Sequence, residues 1–370
     1  MLPDTVQWSK AMAAAPSGAP VVAGTVVVVP LATGDITAHR LVDGSVLWTS
    51  KLTAEMSLPS APVETERIHV VADKSLAADA DRVYIVAGNA IHALAAATGA
   101  VAWRVTVAGP VTAAPLAQAG WVLAAAAGEL IAIRAADGEV IWRKQVGPVE
   151  FRPSLDGELL VVSIVDGRMM ALNLIDGAPL WTTDLHASPG EPFAIGERVY
   201  VGTLDKIFYA LVAATGRIED HISLGSVVRG RVAVDDQHVY VAALDNMVRA
   251  FRRRGGSVRW QKGLPYRPAS GPVVLGDTVV VPGYVETPLP AFAGASGADA
   301  GKMTFDGSLV ALPVFTTLPD GRRGVVGITG GLANKYTLSL RTPSLVRAIV
   351  AQPLTVLPGE AVPIPALQRW

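Results

Sequence analysis

The sequence predicts an all-β fold, an eight-bladed β-propeller of four-stranded antiparallel blades that the N-terminal strand closes into a ring. Three repeating patterns predict it: a glycine with a tryptophan four residues later, a proline that opens each unit, and a short valine-rich strand. From Gly99 the glycines advance in steps of 39 residues to Gly138, Gly177 and Gly216. A period of this length is typical of propellers and other repeat proteins. The glycine and tryptophan pattern has five copies: Gly44/Trp48, Gly99/Trp103, Gly138/Trp142, Gly177/Trp181 and Gly256/Trp260.

The stretch 160–183 shows one unit clearly. Apolar residues 160–165 are followed by Asp166 and Gly167, which tolerate the backbone angles of a tight hairpin turn. A returning strand covers 168–174, and a further strand carries Trp181. The unit is therefore a series of short strands joined by tight turns, as in a propeller blade.

A proline at the start of the first strand checks the period independently, because proline is tolerated where its missing N–H does not break a ladder. Valine-rich second strands agree with it and bring the count to eight units. Each third strand also carries a small residue, which lets neighbouring sheets approach closely. The prolines are Pro20, Pro62, Pro115, Pro153, Pro192, Pro272 and Pro313, with Val232 at the place of the missing one. The small residues are Ala38, Ala93, Ala132, Ala171, Ala210, Ala250 and Ala291.

The repeats extend over about 15–350 and depart from the pattern at three places, within what we expect to be a single domain of residues 1–370. An insertion falls around 64–80, which we expect to be a loop or an extra hairpin on the second blade. Trp8 lies 12 residues before Pro20, so a strand at about 5–12 completes the eighth blade. The eighth unit has Ser344 and Ala348 at the glycine and tryptophan places, and the proline-rich tail 351–370 is either a strap across a blade or an extra edge strand.

The composition limits the classes of function. The net charge of −1 gives no overall attraction to nucleic acid or anionic lipid, so we expect neither as a partner. Hydrophobic residues make up 51% of the chain, but no apolar run reaches the ~18 residues of a membrane-spanning helix. The chain has no cysteine, which excludes disulfides and thiolate metal sites. The N-terminal residues lack a signal-peptide pattern, so either the protein is not exported or the sequence begins after a removed signal.

The repeating tryptophans and glycines have a structural interpretation. A tryptophan on an outer strand buries its ring between neighbouring blades, and its N–H reaches a backbone carbonyl of the next unit. We expect loss of such a ring to cost roughly 3–5 kcal/mol of stability. The predicted docking residues are Trp8, Trp48, Trp103, Trp142, Trp181, Trp260, Gly44, Gly99, Gly138, Gly177, Gly216 and Gly256.

Two segments, 82–103 and 198–216, resemble the repeats of the PQQ-like, quinoprotein-type β-propellers. Repeats of that family end in A-x-x-x-T/D-G-x-x-x-W, and eight of them form the ring. Three branches are considered: alcohol dehydrogenases that bind PQQ and Ca²⁺, outer-membrane protein assembly factors of the BamB type, and sensory propellers that bind a small ligand. The chain lacks the adjacent cysteine pair and the calcium ligands of the first branch, and it also lacks the lipid-bearing cysteine of the second.

The resemblance is greatest to the BamB type. It implies a non-catalytic scaffold, with no enzymatic activity and no cofactor, that binds a protein partner, by resemblance the β-barrel assembly machinery. It also implies a periplasmic or extracytoplasmic location, although a cytoplasmic one stays open, and we expect a monomer. The alternative is a sensor propeller that binds PQQ or a related small molecule, and a PQQ-dependent dehydrogenase is the least favoured.

Unit six carries a cluster of arginines that is the main candidate for binding. Arg252, Arg253 and Arg254 occupy a turn, where they either bind an anionic partner or form a solvated surface balanced by aspartates. Arg229 and Arg231 stand near the first-strand proline place and point to the central channel, where they bind an anion or pair with aspartates. The remaining members of the cluster are Arg249 and Arg259.

No catalytic or metal-binding residues are predicted. Asp166, Asp205 and Asp245 recur at one turn, where aspartate caps its own hairpin. The six histidines show no zinc-binding spacing, and the glycine-rich run 324–331 lacks the lysine of a phosphate-binding loop.

Overall fold

The computed structural model describes residues 4–51, 76–283, 288–330 and 335–343, which form eight antiparallel β-sheets arranged as the blades of a ring. The predicted all-β, eight-bladed propeller is thereby confirmed. No helix long and apolar enough to cross a lipid bilayer occurs within these ranges.

Seven blades have four strands each, paired in the order in which they follow along the chain. Blades one and two contain β2 (Val21–Ala23), β3 (Val26–Pro30), β4 (Asp35–Arg40) and β5 (Val46–Lys51), then β6 (Leu76–Ala78), β7 (Arg82–Ala87), β8 (Ala90–Ala95) and β9 (Val101–Thr106). Blades three and four contain β10 (Leu116–Gln118), β11 (Trp121–Ala126), β12 (Glu129–Arg134) and β13 (Val140–Gln145), then β14 (Ser154–Asp156), β15 (Leu159–Ser163), β16 (Arg168–Asn173) and β17 (Pro179–Asp184).

The remaining blades follow the same order. Blades five and six contain β18 (Phe193–Ile195), β19 (Arg198–Gly202), β20 (Ile207–Val212) and β21 (Ile218–Ser223), then β22 (Ala233–Val234), β23 (His238–Ala243), β24 (Met247–Arg252) and β25 (Val258–Gly263). Blades seven and eight contain β26 (Val273–Leu275), β27 (Thr278–Val280), β28 (Leu289–Ala293) and β29 (Asp299–Met303), then β30 (Ser308–Leu309), β31 (Val314–Thr317), β32 (Arg323–Gly330), β33 (Tyr336–Pro343) and, from the N-terminus, β1 (Asp4–Ala11).

The N-terminal strand closes the ring as predicted. β1 pairs antiparallel with β33, and Trp8 lies opposite Leu340. Trp8 therefore occupies the tryptophan place of blade eight, which the sequence pattern assigns to Ala348. Closure removes the exposed edge that an incomplete eighth blade would leave. Ser344, Ala348 and the tail 351–370 lie outside the described residues.

The insertion in the second unit is placed differently from the prediction. The first strand of blade two is Leu76–Ala78, which pairs with β7, so the end of the predicted 64–80 loop is regular sheet. Pro62 and the rest of the insertion lie outside the described residues. The strand was hidden because it is only three residues long and lacks the preceding proline that marks most of the other first strands.

The hydrophobic core lies at the seams between blades. Each cluster of buried side chains combines residues of adjacent blades, for example Leu211 of blade five with Val161 of blade four. First strands of several neighbouring blades contact one another, so these strands line the centre of the ring. The residues that determine how two blades fit together are therefore the ones that determine stability.

Candidate functional site

Six tryptophans make one repeated contact across the seams. Each side-chain N–H donates a hydrogen bond to a backbone carbonyl of the next blade, and blade eight donates in this way to blade one. The pairs are Trp8 to Leu41 (2.8 Å), Trp48 to Ala96 (2.7 Å), Trp103 to Ala135 (2.9 Å), Trp142 to Leu174 (2.7 Å), Trp181 to Ala213 (2.7 Å) and Trp260 to Gly294 (2.6 Å).

The alanine of the third strand positions the ring. Ala171 lies directly opposite Trp181, and the register shifts immediately after this pair, so the strand carries one extra residue, Leu180. A β-bulge of this kind redirects a side chain, here toward the next blade. The same alanine and the same shift recur in the other tryptophan-bearing blades one, two, three and six.

The repeating glycines receive the rings. Gly216 has a φ of +69°, and a Cβ at this position would lie 2.4 Å from the Trp181 ring. Each ring thus packs on the glycine of the following unit rather than on the one four residues before it. Gly44, Gly99, Gly138 and Gly177 receive Trp8, Trp48, Trp103 and Trp142 in this way, and Gly297, which is absent from the predicted set, receives Trp260. This geometry is that of docking, and the stabilising role stays a prediction.

Gly256 is different because blade five has Asp220 at the tryptophan place. The Asp220 carboxylate lies against Gly256, where a Cβ would be 1.7 Å from its Oδ2. A carboxylate covers less of the seam than an indole. A cleft of about 560 Å³, including its open mouth, remains between blades five and six, with Tyr200, Phe208 and Phe251 in its wall.

Arg252, Arg253 and Arg254 line an open hollow beside this cleft. None of the three forms an ion pair with a described residue, and Arg253 donates to the backbone carbonyl of Asp235 at 3.2 Å. Two of the aspartates that could balance them are engaged elsewhere: Asp245 pairs with Arg249 at 2.6 Å, and Asp235 accepts from Tyr240. Glu197 and Asp236 line the hollow, but arginines outnumber them there, so the hollow carries an excess of positive charge.

Arg198, at the mouth of both the cleft and the hollow, is neutralised. Its guanidinium pairs with Glu219 at 2.6 Å and donates two hydrogen bonds to the carboxylate. These bonds lower the pKa of Glu219, because they stabilise its ionised form.

A second charged group lies at the central channel. Arg152, Glu191 and Arg231 each stand two residues before the first strand of blades four, five and six. Enclosure by protein raises the pKa of Glu191, while the two arginines act in the opposite direction. Burial also disfavours the charged form of Arg231 and therefore lowers its pKa. The Arg231 guanidinium lies 4.1 Å over the ring of Phe193.

The Nε atoms of Arg152 and Arg231 are buried and have no hydrogen-bond partner among the described residues. Arg231 therefore faces a glutamate and a second arginine instead of the aspartates that we expected from the sequence. Arg229 is separate from this group, since its Nε donates to the carbonyl of Ala269 at 3.1 Å. The cluster already contains the carboxyl group of Glu191, and its two arginines leave an excess of positive charge that suits a further small anion.

The recurring aspartates act within their own turns. Asp166 binds the guanidinium of Arg168, and Asp205 accepts from the Thr203 hydroxyl. In the described ranges, no group of three or more His, Cys, Asp or Glu side chains could hold a metal ion. Most of the glycine-rich run is the β32 strand, Arg323–Gly330.

The family model described as outer membrane protein assembly factor BamB matches residues 61–192 and 165–298. No curated protein sequence matches the chain.

Solved structures with the same fold come from proteins of different activity. BamB from Moraxella catarrhalis aligns with a TM-score of 0.67 and 20% identity, over 91% of this chain and 97% of that one. A quinohemoprotein alcohol dehydrogenase from Pseudomonas putida aligns with a TM-score of 0.67 and 13% identity, over 98% and 78%. A europium-containing methanol dehydrogenase aligns with a TM-score of 0.69 and 14% identity, over 92% and 93%. At these identities the likeness shows the fold.

The prediction that the chain is not an enzyme is contradicted by these comparisons. Two of the similar structures are dehydrogenases, and they share the fold that we associated with a non-catalytic scaffold. One propeller architecture carries both kinds of protein. The missing cysteine pair therefore does not exclude catalysis.

Proposed function

Because the chain belongs to the BamB family of outer membrane protein assembly factors, whose model matches 61–192 and 165–298, we propose that it is an extracytoplasmic scaffold that binds a protein of the β-barrel assembly machinery. The family match carries this proposal. A closed ring with a rigid core suits the task, since it presents its turns on a fixed frame.

The basic hollow supports a surface for such a partner. Arg253 and Arg254 project from one turn, as predicted, whereas Arg252 is the last residue of the strand before it. None of the three forms an ion pair with a described residue, so their charge is available to carboxylates of another protein. Charge complementarity of this kind increases the rate of association and favours the correct partner. The hollow thus predicts an acidic surface on the protein that binds here.

Binding of the purified periplasmic domain of the barrel insertase from the same genome tests the proposal. We expect Arg252→Glu with Arg254→Glu to weaken binding about tenfold or more at low salt, because the complementary charges become repulsive. Arg134 is the matched control. It occupies the place of Arg252 in blade three, but it pairs with Asp137 and Glu139.

Arg134→Glu is expected to leave the affinity within about twofold of wild type. If the wild-type protein does not bind the insertase domain at micromolar concentration, the scaffold proposal is refuted. If the control and the double variant lose binding equally, the partner does not bind at the hollow.

A second candidate function, binding of a small anionic ligand such as PQQ, is favoured by the channel cluster. The buried, unpartnered Nε atoms of Arg152 and Arg231 fit the carboxylates of such a molecule. Within the described ranges, no group of side chains could hold a metal ion beside such a ligand. Titration with PQQ, followed by absorbance and thermal shift, tests this function: we expect saturable binding that Arg231→Gln weakens, and no saturation would dismiss it.

A further inference from the structure

We propose that the seam between blades five and six is a slot for a tryptophan side chain of a protein partner, seated where six other seams hold a tryptophan of this chain. The proposal rests on the scaffold function for the source of the occupant and goes beyond it in naming the anchor. Two comparisons with neighbouring seams support it, one from ring positions and one from hydrogen bonds.

The seam between blades six and seven shows what the complete arrangement contains. Trp260 lies between Tyr240 and Phe292, with ring centroids 5.8 and 6.2 Å apart. By position in their strands, Tyr200 corresponds to Tyr240, and Phe251, the residue after Ala250, corresponds to Phe292. The two outer rings are therefore present at the open seam.

The tryptophan of the other seams is missing there, and Phe208 takes part of its place between the outer rings. Asp220 lies opposite Ala210, as Trp260 lies opposite Ala250. Phe208 bridges the two outer rings, with centroids 6.1 Å from Tyr200 and 5.7 Å from Phe251. A cleft nevertheless remains open beside these rings, with Tyr200, Phe208 and Phe251 in its wall.

The hydroxyl group of Tyr200 is the second observation. The corresponding hydroxyls of Tyr84 and Tyr240 donate to Asp79 and Asp235, five residues earlier in each case. At the equivalent place blade five has Ile195, and the buried Tyr200 hydroxyl has no partner among the described residues. Buried polar groups are nearly always hydrogen-bonded, so this hydroxyl calls for an acceptor. An indole has only a donor, so the acceptor would be a carbonyl or carboxylate oxygen of the residues beside the tryptophan.

An acceptor for the indole N–H is also in place. At the occupied seams the accepting carbonyl belongs to the residue three positions before the receiving glycine, as Ala213 precedes Gly216. At the open seam this residue is Arg253, which precedes Gly256. An indole seated in the slot would reach the Arg253 carbonyl in the same way.

The surroundings indicate that the occupant is part of an acidic polypeptide. Arg252 and Arg253 line both the cleft and the basic hollow, so the two sites are continuous. A segment with tryptophan as its anchor and glutamate or aspartate beside it would satisfy both at once. Tryptophan is also among the residues that contribute most to protein interfaces.

The test uses a fluorescently labelled peptide with one tryptophan between two pairs of glutamates, measured by anisotropy against the full chain. We expect saturable binding that falls about tenfold when alanine replaces the tryptophan of the peptide. Asp220→Trp restores the intrachain ring and should raise the melting temperature and reduce binding about tenfold. Asp220→Asn is the matched control and should bind as wild type does.

A second measurement does not depend on how the variants fold. The wild-type protein is crosslinked to a peptide that carries benzoylphenylalanine in place of tryptophan, and the labelled position is mapped. Crosslinks at Tyr200, Phe251 or their strand neighbours support the slot, and crosslinks confined to other blades overturn it. Equal binding of the tryptophan and alanine peptides would overturn it as well, because charge alone would then explain the affinity.

The slot and the scaffold function fail separately. If the insertase domain does not bind but the peptide binds through its tryptophan, the proposed function is refuted and the slot stands. If the insertase domain binds equally well to wild type and to a folded Asp220→Trp variant, and the peptide shows no tryptophan dependence, the slot is refuted and the scaffold function stands.

Discussion

Replacement of Trp181 by alanine tests the docking role of the ladder tryptophans. The Trp181 side chain is 8% exposed, packs on Gly216 and donates to the Ala213 carbonyl at 2.7 Å. Burial of about 150–250 Å² at about 25 cal/mol/Å² sets an upper bound of roughly 4–6 kcal/mol. Large-to-small replacements in cores cost about 3–5 kcal/mol, and we expect Trp181→Ala to lie in that range.

The free energy of unfolding is measured by urea denaturation, and the melting temperature gives a second value. With 370 residues and about 2.1 cal/mol/K per residue, the unfolding entropy is about 0.8 kcal/mol/K, so the melting temperature should fall by about 4–6 °C. Leu180, the bulge residue beside Trp181, is 51% exposed and serves as the control.

Leu180→Ala should change the stability by less than about 0.5 kcal/mol, as exposed substitutions usually do. The reasoning is refuted if Trp181→Ala costs less than about 1 kcal/mol, or no more than the Leu180 control. Either result would show that the seam is held by the rest of the core rather than by the ring.

Three further predictions concern a receiving glycine, a buried histidine and ring closure. Gly216→Ala should destabilise the protein more than Gly157→Ala, because both have positive φ but only the first places a Cβ against a ring; equal losses in urea denaturation would contradict this. Burial lowers the pKa of His39, so the unfolded chain binds its proton first as pH falls and stability should decline below about pH 6.5. His39→Gln should flatten that decline, and parallel pH profiles of the melting temperature would refute it. Trp8→Ala should cost at least as much stability as Trp181→Ala, because it loosens the closing seam; a loss under half as large would refute this.

The architecture is readable from the sequence because the residues that join the blades are distinctive. Tryptophan, glycine and proline recur at fixed intervals, and each has one place in a blade. The first strand of blade two, Leu76–Ala78, could not be recognised, since its pairing with β7 depends on the neighbouring strand and not on its own composition. Local propensity is weak for such a short strand.

Only part of the open seam between blades five and six could be predicted from the sequence. The repeat pattern shows that Asp220 stands at the tryptophan place of blade five. It also shows that blade five has Ile195 five residues before its tyrosine, where two other blades have aspartate. That Tyr200 and Phe251 come together across a seam depends on how two blades pack. The channel cluster could also have been predicted from the sequence, since Arg152 and Glu191 each immediately precede a proline that marks the start of a unit.

The pairing of β1 with β33 also sets an order of events in time. Lys10 pairs with Leu338, so β1 can pair only with a strand that is synthesised roughly 330 residues later. At about 5–20 residues per second, that delay is on the order of 15–65 s. Until then β1 has no partner strand and blade eight is incomplete. The ring therefore acquires its cooperative stability late, and the nascent chain has to be protected from edge-to-edge association until then.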